Sequence, residues 1–436
     1  MVDLISKLPP YSCGLSIVVI MNFECRSPCP TPGHPQPIPE FALKCCGILR
    51  KLSNLPPGLL LDGSRTYNRG EFLGETSIKG KRRAMTSEPT VDIKDLTQSA
   101  LEDFVVTFGH KRYWARHLIK WLYRKGAINF NEMTDLPTNF REALRRVAFI
   151  STLTPNEVEI SRDGSKKFLF SLMDGNSVES VLVPEGSRLT LCISTQVGCP
   201  LGCRFCLSGS MGFVRNLTAS EILNQILAVQ REEAPMRRIT NIVFMGMGEP
   251  LANYDNTVKA IEMMQYDPGL GLSGRRITLS TSGLVPEMEK VMATGLRFQL
   301  AVSLNAADDD TRSFLMPINK SYPLEEVLES CRGFRLHPRE RIIFEYVLID
   351  GINDSPRDAF RLVRLLKGIP CKVNLIPFNE SPEQQFSRPD EKTILGFQTA
   401  LLDQYITCIV RKSRGGDISA ACGQLRGRSR GIQNSP

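Results

Sequence analysis

Hydrophobic positions change their period along the chain, and each change marks a different kind of element. From about residue 92 to 149 the apolar residues recur at helical spacing. Leu101, Phe104 and Val105 form one face, and Trp114, Leu118, Trp121 and Leu122 form another. Between residues 157 and 188 the period falls to two, with Asp163-Gly164 and Asp174-Gly175 as turns between strands. After that, apolar runs alternate with amphipathic segments. The runs near Leu189–Thr195, Asn241–Gly246, Arg276–Ser282, Phe298–Asn305, Ile342–Leu348 and Lys372–Pro377 predict strands. Ser220–Glu232, Asn256–Gln265, Pro323–Arg332, Asp358–Lys367 and Lys392–Tyr405 predict the helices between them. Such alternation builds a parallel sheet with right-handed crossovers.

Six strand–helix units predict an α/β fold of partial (βα)6 barrel type rather than a full eight-unit barrel. The expected organisation is an extension over 1–91, a small helical accessory domain over 92–150, a β-hairpin extension over 151–188, the barrel over 189–413 and a tail over 414–436. Residues 1–84 stand apart: they hold five of the thirteen cysteines and no sustained period. Two readings of this segment are open, a targeting sequence or a stretch upstream of a true start at Met85.

Composition narrows the class. Apolar residues make up 42% and charged residues 23% of the 436, as in ordinary globular proteins, and no run is long enough to span a membrane. Scattered cysteines fit a reducing compartment, and the expectation is cytoplasmic. A formal charge of +8 is compatible with a polyanionic partner. Arg112, Arg116, Lys120 and Arg124 recur every four residues, which reads either as a solvated face or as a phosphate-tracking one.

The chemistry concentrates in Cys199-Pro200-Leu201-Gly202-Cys203-Arg204-Phe205-Cys206, directly after the first predicted barrel strand. Three thiolates on one loop can hold three irons of a [4Fe–4S] cluster and leave the fourth without a protein ligand. A zinc site would need a fourth ligand nearby, and none follows. Met245-Gly246-Met247-Gly248-Glu249-Pro250 follows the second strand, where glycines let the backbone approach a ligand. Ser280, Ser303, Asn305 and Asn379 end later strands. Singly each reads as a cap; together they ring one mouth with hydroxyls and amides. Cys192 lies on the first strand, and Cys422 lies near the C-terminus beside Arg411, Lys412 and Arg414, cationic neighbours that favour a thiolate. Cys331, Cys371 and Cys408 read as packing residues.

These motifs, with Leu279-Ser280-Thr281-Ser282-Gly283 and Ala421-Cys422-Gly423-Gln424-Leu425, resemble the dual-specificity RNA methyltransferases of the radical S-adenosylmethionine (SAM) superfamily, the RlmN/Cfr type, and most of all its RlmN branch. The likeness runs from about residue 92 to about 427. It implies a [4Fe–4S] cluster on Cys199, Cys203 and Cys206, and SAM contacts at Gly248, Glu249, Ser280, Ser303, Leu304, Asn305 and Asn379. One departure is Asn305, where many relatives carry histidine. The resemblance further implies a methyl-carrying Cys422, a resolving Cys192 and Glu179 as proton acceptor, with two SAM used to methylate adenine C2 in large-subunit rRNA and tRNA. Implied partners are those RNAs, a flavodoxin- or ferredoxin-type reductant and a thiol reductant, with the chain a monomer. Rival readings are C8 methylation, a non-catalytic iron–sulfur RNA-binding protein, and a radical SAM enzyme with a small-molecule substrate.

Overall fold

A computed structural model describes residues 90–427 except 335, 338 and 339. Both readings of the N-terminal extension therefore fall outside the described residues. Three helices open the described part: α1 (Gln98–Thr107), α2 (Tyr113–Ile119) and α3 (Thr138–Val147). Their apolar faces bury Leu101, Val105, Leu118, Phe140 and Leu144. The helix after Tyr113 does not run on as a regular α-helix; Lys120–Arg124 winds more loosely as a π-turn. The four-residue basic stripe is accordingly broken. Arg112 pairs with Asp103 at 2.7 Å, and Arg124 bonds the carbonyl of Gly269 at 3.2 Å.

The rest is organised by one ten-stranded sheet. Its strands are β1 (Pro155–Ile160), β2 (Lys166–Ser171), β3 (Ser177–Glu185), β4 (Arg188–Cys192), β5 (Asn241–Phe244), β6 (Ile277–Thr281), β7 (Gln299–Ser303), β8 (Ile342–Leu348), β9 (Cys371–Pro377) and β10 (Thr407–Val410). Spatial order equals chain order throughout. β1 to β4 pair antiparallel, and β4 to β10 pair parallel. The expected hairpin extension is thus continuous with the barrel sheet. The turns at Gly164 and Gly175 take φ of +83° and +84°, the left-handed region where glycine costs least.

Three elements depart from expectation, the short helix Asp309–Leu315 among them. The parallel part has seven strands, not six, because the four-residue β10 was too short for its periodicity to stand out. A helix at Val285–Ala293 also went unpredicted; Pro286 at its first turn mimics a loop but is well tolerated there. Counting it as α6, the crossovers are α4 (Ala219–Glu233), α5 (Tyr254–Gln265), α6, α7 (Asp309–Leu315), α8 (Leu324–Arg332), α9 (Pro356–Leu365) and α10 (Glu391–Leu402). Reciprocal caps fix two starts: Thr218 with Glu221 for α4, and Ser355 with Asp358 for α9. None of these helices is long and apolar enough to cross a membrane.

Candidate active site

The C-terminal ends of the parallel strands line an open-mouthed cavity of about 980 Å³, part of which is open to solvent. Cys199, Cys203 and Cys206 line one wall, and Gly246, Gly248 and Glu249 the next. Ser280, Ser303, Asn305 and Asn379 complete the ring, with Cys422 and Gly423 across it. Residues read singly as caps are therefore brought together, as strand order requires.

Gly248 has φ of +97°, and a Cβ there would lie 2.5 Å from the Cβ of Gln196. Only glycine lets this turn pass so close to the loop after β4. Glu249 is buried, and both its oxygens brace the turn: one accepts from Leu251 N at 3.1 Å, the other from Ser282 N at 2.8 Å. Burial raises its pKa, and those bonds oppose the rise. Asn305 takes a left-handed φ of +56°, which asparagine tolerates. Its amide oxygen accepts from Val347 N at 2.9 Å, and its Nδ2 meets the Met316 sulfur at 3.2 Å. The side chain thus ties the end of β7 to β8 while lining the cavity.

Leu304 lies between Ser303 and Asn305 with its side chain buried in the core; its N–H donates to Glu345 O and its carbonyl accepts from Arg312 Nε.

The tail is pinned into the cavity from several sides. Leu207 N donates to Gly423 O at 2.7 Å, Ser208 Oγ to Leu425 O, and Asn379 Nδ2 to Cys422 O at 3.1 Å. Cys422 remains exposed to the cavity while protein surrounds it. Burial raises its thiol pKa and Glu345 adds to that, with Arg411 opposing. Of the three cations expected to favour its thiolate, Arg411 acts in that direction, against the burial. Cys192 is half-buried behind the wall on β4, opposite Val181 and Val243. Burial raises its pKa, and the nearby Cys422 thiol raises it further.

Glu179 lies on β3, outside the residues that line the cavity, and its carboxylate accepts from the backbone N–H of Arg426, which tethers the tail.

Comparisons with known proteins agree with this arrangement. The radical SAM superfamily model matches residues 193–363, and the ribosomal RNA large subunit methyltransferase N-terminal domain matches 91–150. A dual-specificity RNA methyltransferase RlmN from Geobacter sulfurreducens is 55% identical over 338 residues, 78% of this chain and 92% of that one. The RlmN of Geotalea uraniireducens is 53% identical over 78% of this chain and 97% of its own. The chain belongs to the RlmN family of radical SAM RNA methyltransferases. A solved radical SAM methyltransferase from Sphaerobacter thermophilus shares the fold, with a TM-score of 0.73 at 44% identity over 77% of this chain and 99% of that one.

RlmN proteins, as radical SAM enzymes, use a [4Fe–4S] cluster and SAM, and the donor set here fits both. Cys199, Cys203 and Cys206 all face the cavity, each with its pKa raised by burial, that of Cys199 to about 12. Among the described residues, no three His, Cys, Asp or Glu side chains gather as a site for a single metal ion. Zinc, with bonds of about 2.0–2.3 Å to four ligands, needs such a gathering. A cluster that takes one thiolate per iron does not.

Two residues of this site escaped the sequence reading. Arg312 is fully buried, and its guanidinium bonds the carbonyls of Ser282, Ser303, Leu304 and Tyr322 and the amide oxygen of Asn319. It ties the ends of β6 and β7 to α7. Burial lowers its pKa to about 10. Glu345, on β8, faces the cavity with one oxygen bonded to Asn374 Nδ2 at 2.8 Å. A lone carboxylate inside the apolar run Ile342–Leu348 was the signal that could have found it.

Proposed function

We propose that this RNA methyltransferase places a methyl group on C2 of an adenine in large-subunit rRNA and in tRNA, with Cys422 as the methyl carrier. The observation that carries this reading is the placement of Cys422: its backbone carbonyl accepts from Asn379 Nδ2 and that of Gly423 accepts from Leu207 N, which holds Cys422 in the cavity that the three cysteines also line. A thiol serving only to pack would not be fastened at the mouth of a cofactor cavity.

Cys199, Cys203 and Cys206 would hold the cluster, which when bound supplies the one-electron chemistry that an electron-poor adenine carbon requires. The chain's own residues do the rest. Cys422 takes a methyl group from one SAM: its S–H bond is lost, an S–CH3 bond forms, and S-adenosylhomocysteine and a proton leave. Gly248 and the turn it permits admit the amino-acid end of SAM, and the hydroxyls of Ser280 and Ser303 suit its ribose. Once the carbon carried on Cys422 is joined to adenine C2, the Cys192 thiol attacks the Cys422 sulfur. An S–S bond forms, and the S–C bond breaks with its electron pair going to carbon. That carbon takes up a proton as the methyl group of the freed RNA, and a thiol reductant restores both cysteines. The electron donor is of flavodoxin or ferredoxin type, the setting cytoplasmic and the chain a monomer. The target base must leave its stack to enter a site inside a barrel mouth, which costs least in a loop or an opened RNA.

The test is the mass of the Cys422 peptide from protein made in cells, together with the identity of the methylated nucleoside. A peptide one methyl heavier and 2-methyladenosine as product support the reading. An unmodified Cys422 overturns the carrier role, and 8-methyladenosine overturns the choice of carbon.

A further inference from the structure

A line of aromatic rings leads from the cavity to the surface. Phe378 is buried and lines the cavity. Phe386 meets it edge to face, with centroids 5.8 Å apart, and Phe314 meets Phe386 at 6.4 Å. At the outer end the Arg204 guanidinium lies over the Phe314 ring, 4.4 Å from its centroid. Arg204 belongs to the cysteine loop, and its N–H bonds Leu315 O at 3.0 Å, which fixes that loop to α7. The inner part of this line is ordinary packing under the loop. Its outer end is not: Phe314 is 43% exposed and Arg204 is exposed beside it, although Leu315 and Arg312 already supply the buried face of α7.

We propose that Phe314 and Arg204 form a stacking platform for the unpaired nucleotide adjoining the one that enters the cavity. The proposal rests on the RNA-methyltransferase reading and adds to it the subsite for a neighbouring base. An aromatic ring capped by a planar cation is the surface on which unpaired bases stack, irrespective of their sequence. A base drawn into the cavity loses its own stacking partner, and the platform is continuous with the cavity wall through Phe386 and Phe378, so the neighbour finds a replacement there. Carboxylates on the adjacent loop do not oppose this. Glu383 pairs with Arg426, Glu391 pairs with Arg388, and Glu380 accepts from Arg388 N.

The experiment uses the full chain with its cluster reconstituted without oxygen, and hairpin RNAs carrying a single-stranded target adenine. 2-Aminopurine, whose fluorescence falls on stacking, is placed 5′ of the target in one RNA and 3′ in another. Binding to the parent protein is expected to quench one of the two. Phe314→Leu, which keeps apolar bulk, is expected to abolish that quench and weaken binding roughly tenfold, with the salt dependence unchanged because no phosphate contact is lost. Phe314→Trp should restore both. An RNA abasic at the quenched position should bind parent and Phe314→Leu proteins equally. Unaltered quenching and affinity in Phe314→Leu, or equal affinity of the parent for intact and abasic RNA, overturns the platform. Intact cluster absorbance in each variant separates these results from misfolding. If the parent quenches the probe but transfers no methyl group, the platform stands and the methyltransferase reading falls.

Discussion

The backbone N–H of Arg426 donates to the Glu179 carboxylate at 2.9 Å, joining the end of the described chain to a strand almost 250 residues earlier. Nearby, Lys167 Nζ reaches Ile418 O at 2.7 Å, and Asp417 accepts from Ser161 Oγ at 2.6 Å and from Arg162 N at 3.1 Å. The antiparallel strands β1–β3 thus hold the segment that carries Cys422. Glu179→Ala should loosen that segment: trypsin should cut at Arg414 and Arg426 faster, and methyl transfer should fall about tenfold or more, since a hydrogen bond to a charged group contributes roughly 1.5–3 kcal/mol. Cluster content should stay unchanged. Unaltered proteolysis would contradict the tether.

Cys422→Ala should abolish methyl transfer to RNA while cluster assembly and SAM binding persist, because the three cluster cysteines lie on a separate loop. Cys192→Ala should accumulate a covalent protein–RNA adduct visible on a denaturing gel. Free product released at the parental rate would remove the resolving role.

Gly248→Ala should weaken SAM binding about tenfold or more, read by equilibrium dialysis. The added methyl group would meet Gln196 at 2.5 Å at a φ of +97°, and backbone strain of this kind costs on the order of 1–3 kcal/mol. Near-parental affinity would show that the turn can shift without consequence.

Arg312→Met should lower unfolding stability by about 3 kcal/mol or more in urea, because several buried carbonyls lose their donor together. Arg312→Lys should recover only part, since an ammonium cannot reproduce the planar fork. A loss below about 1 kcal/mol would mean that water replaces the guanidinium.

Glu345 provides a pH signature. Burial raises its folded-state pKa, opposed by Asn374, Arg411 and Lys372. The native state therefore holds its proton more tightly than the unfolded chain does. That contribution is full below the unfolded value of about 4.3 and is lost as pH climbs through the raised folded value. Glu345→Gln can still accept from Asn374 but carries no charge. Its urea midpoint should fall less than the parent's between pH 5 and pH 8, and equal falls would rule out Glu345 as the source.

The legible parts of this protein share one property: their residues are neighbours in sequence. The cysteine loop, the Gly246–Pro250 turn and the strand–helix alternation each declare themselves within about a dozen positions. Glu179 was picked out by resemblance, but its contact with Arg426 is set by how the tail returns. Arg312 looks like any basic residue on a short helix until the ends of β6 and β7 close around it. Cys422 has three cations among the eleven residues before it, yet the burial that opposes them is set by the fold. What sequence order conceals here is enclosure.

The strands lie in chain order, so β1 and β10 are opposite borders of a sheet that does not close on itself. The segment after β10 crosses from one border to the other, where Gly415 N meets Asp163 Oδ2 at 3.0 Å. It works as a latch that joins polar fastenings to a small apolar seam, where Ala420, Ala421 and Leu425 are buried. Lifting it would uncover that seam without unpairing a strand, so the sulfur it bears can change partners only at the cost of those few contacts.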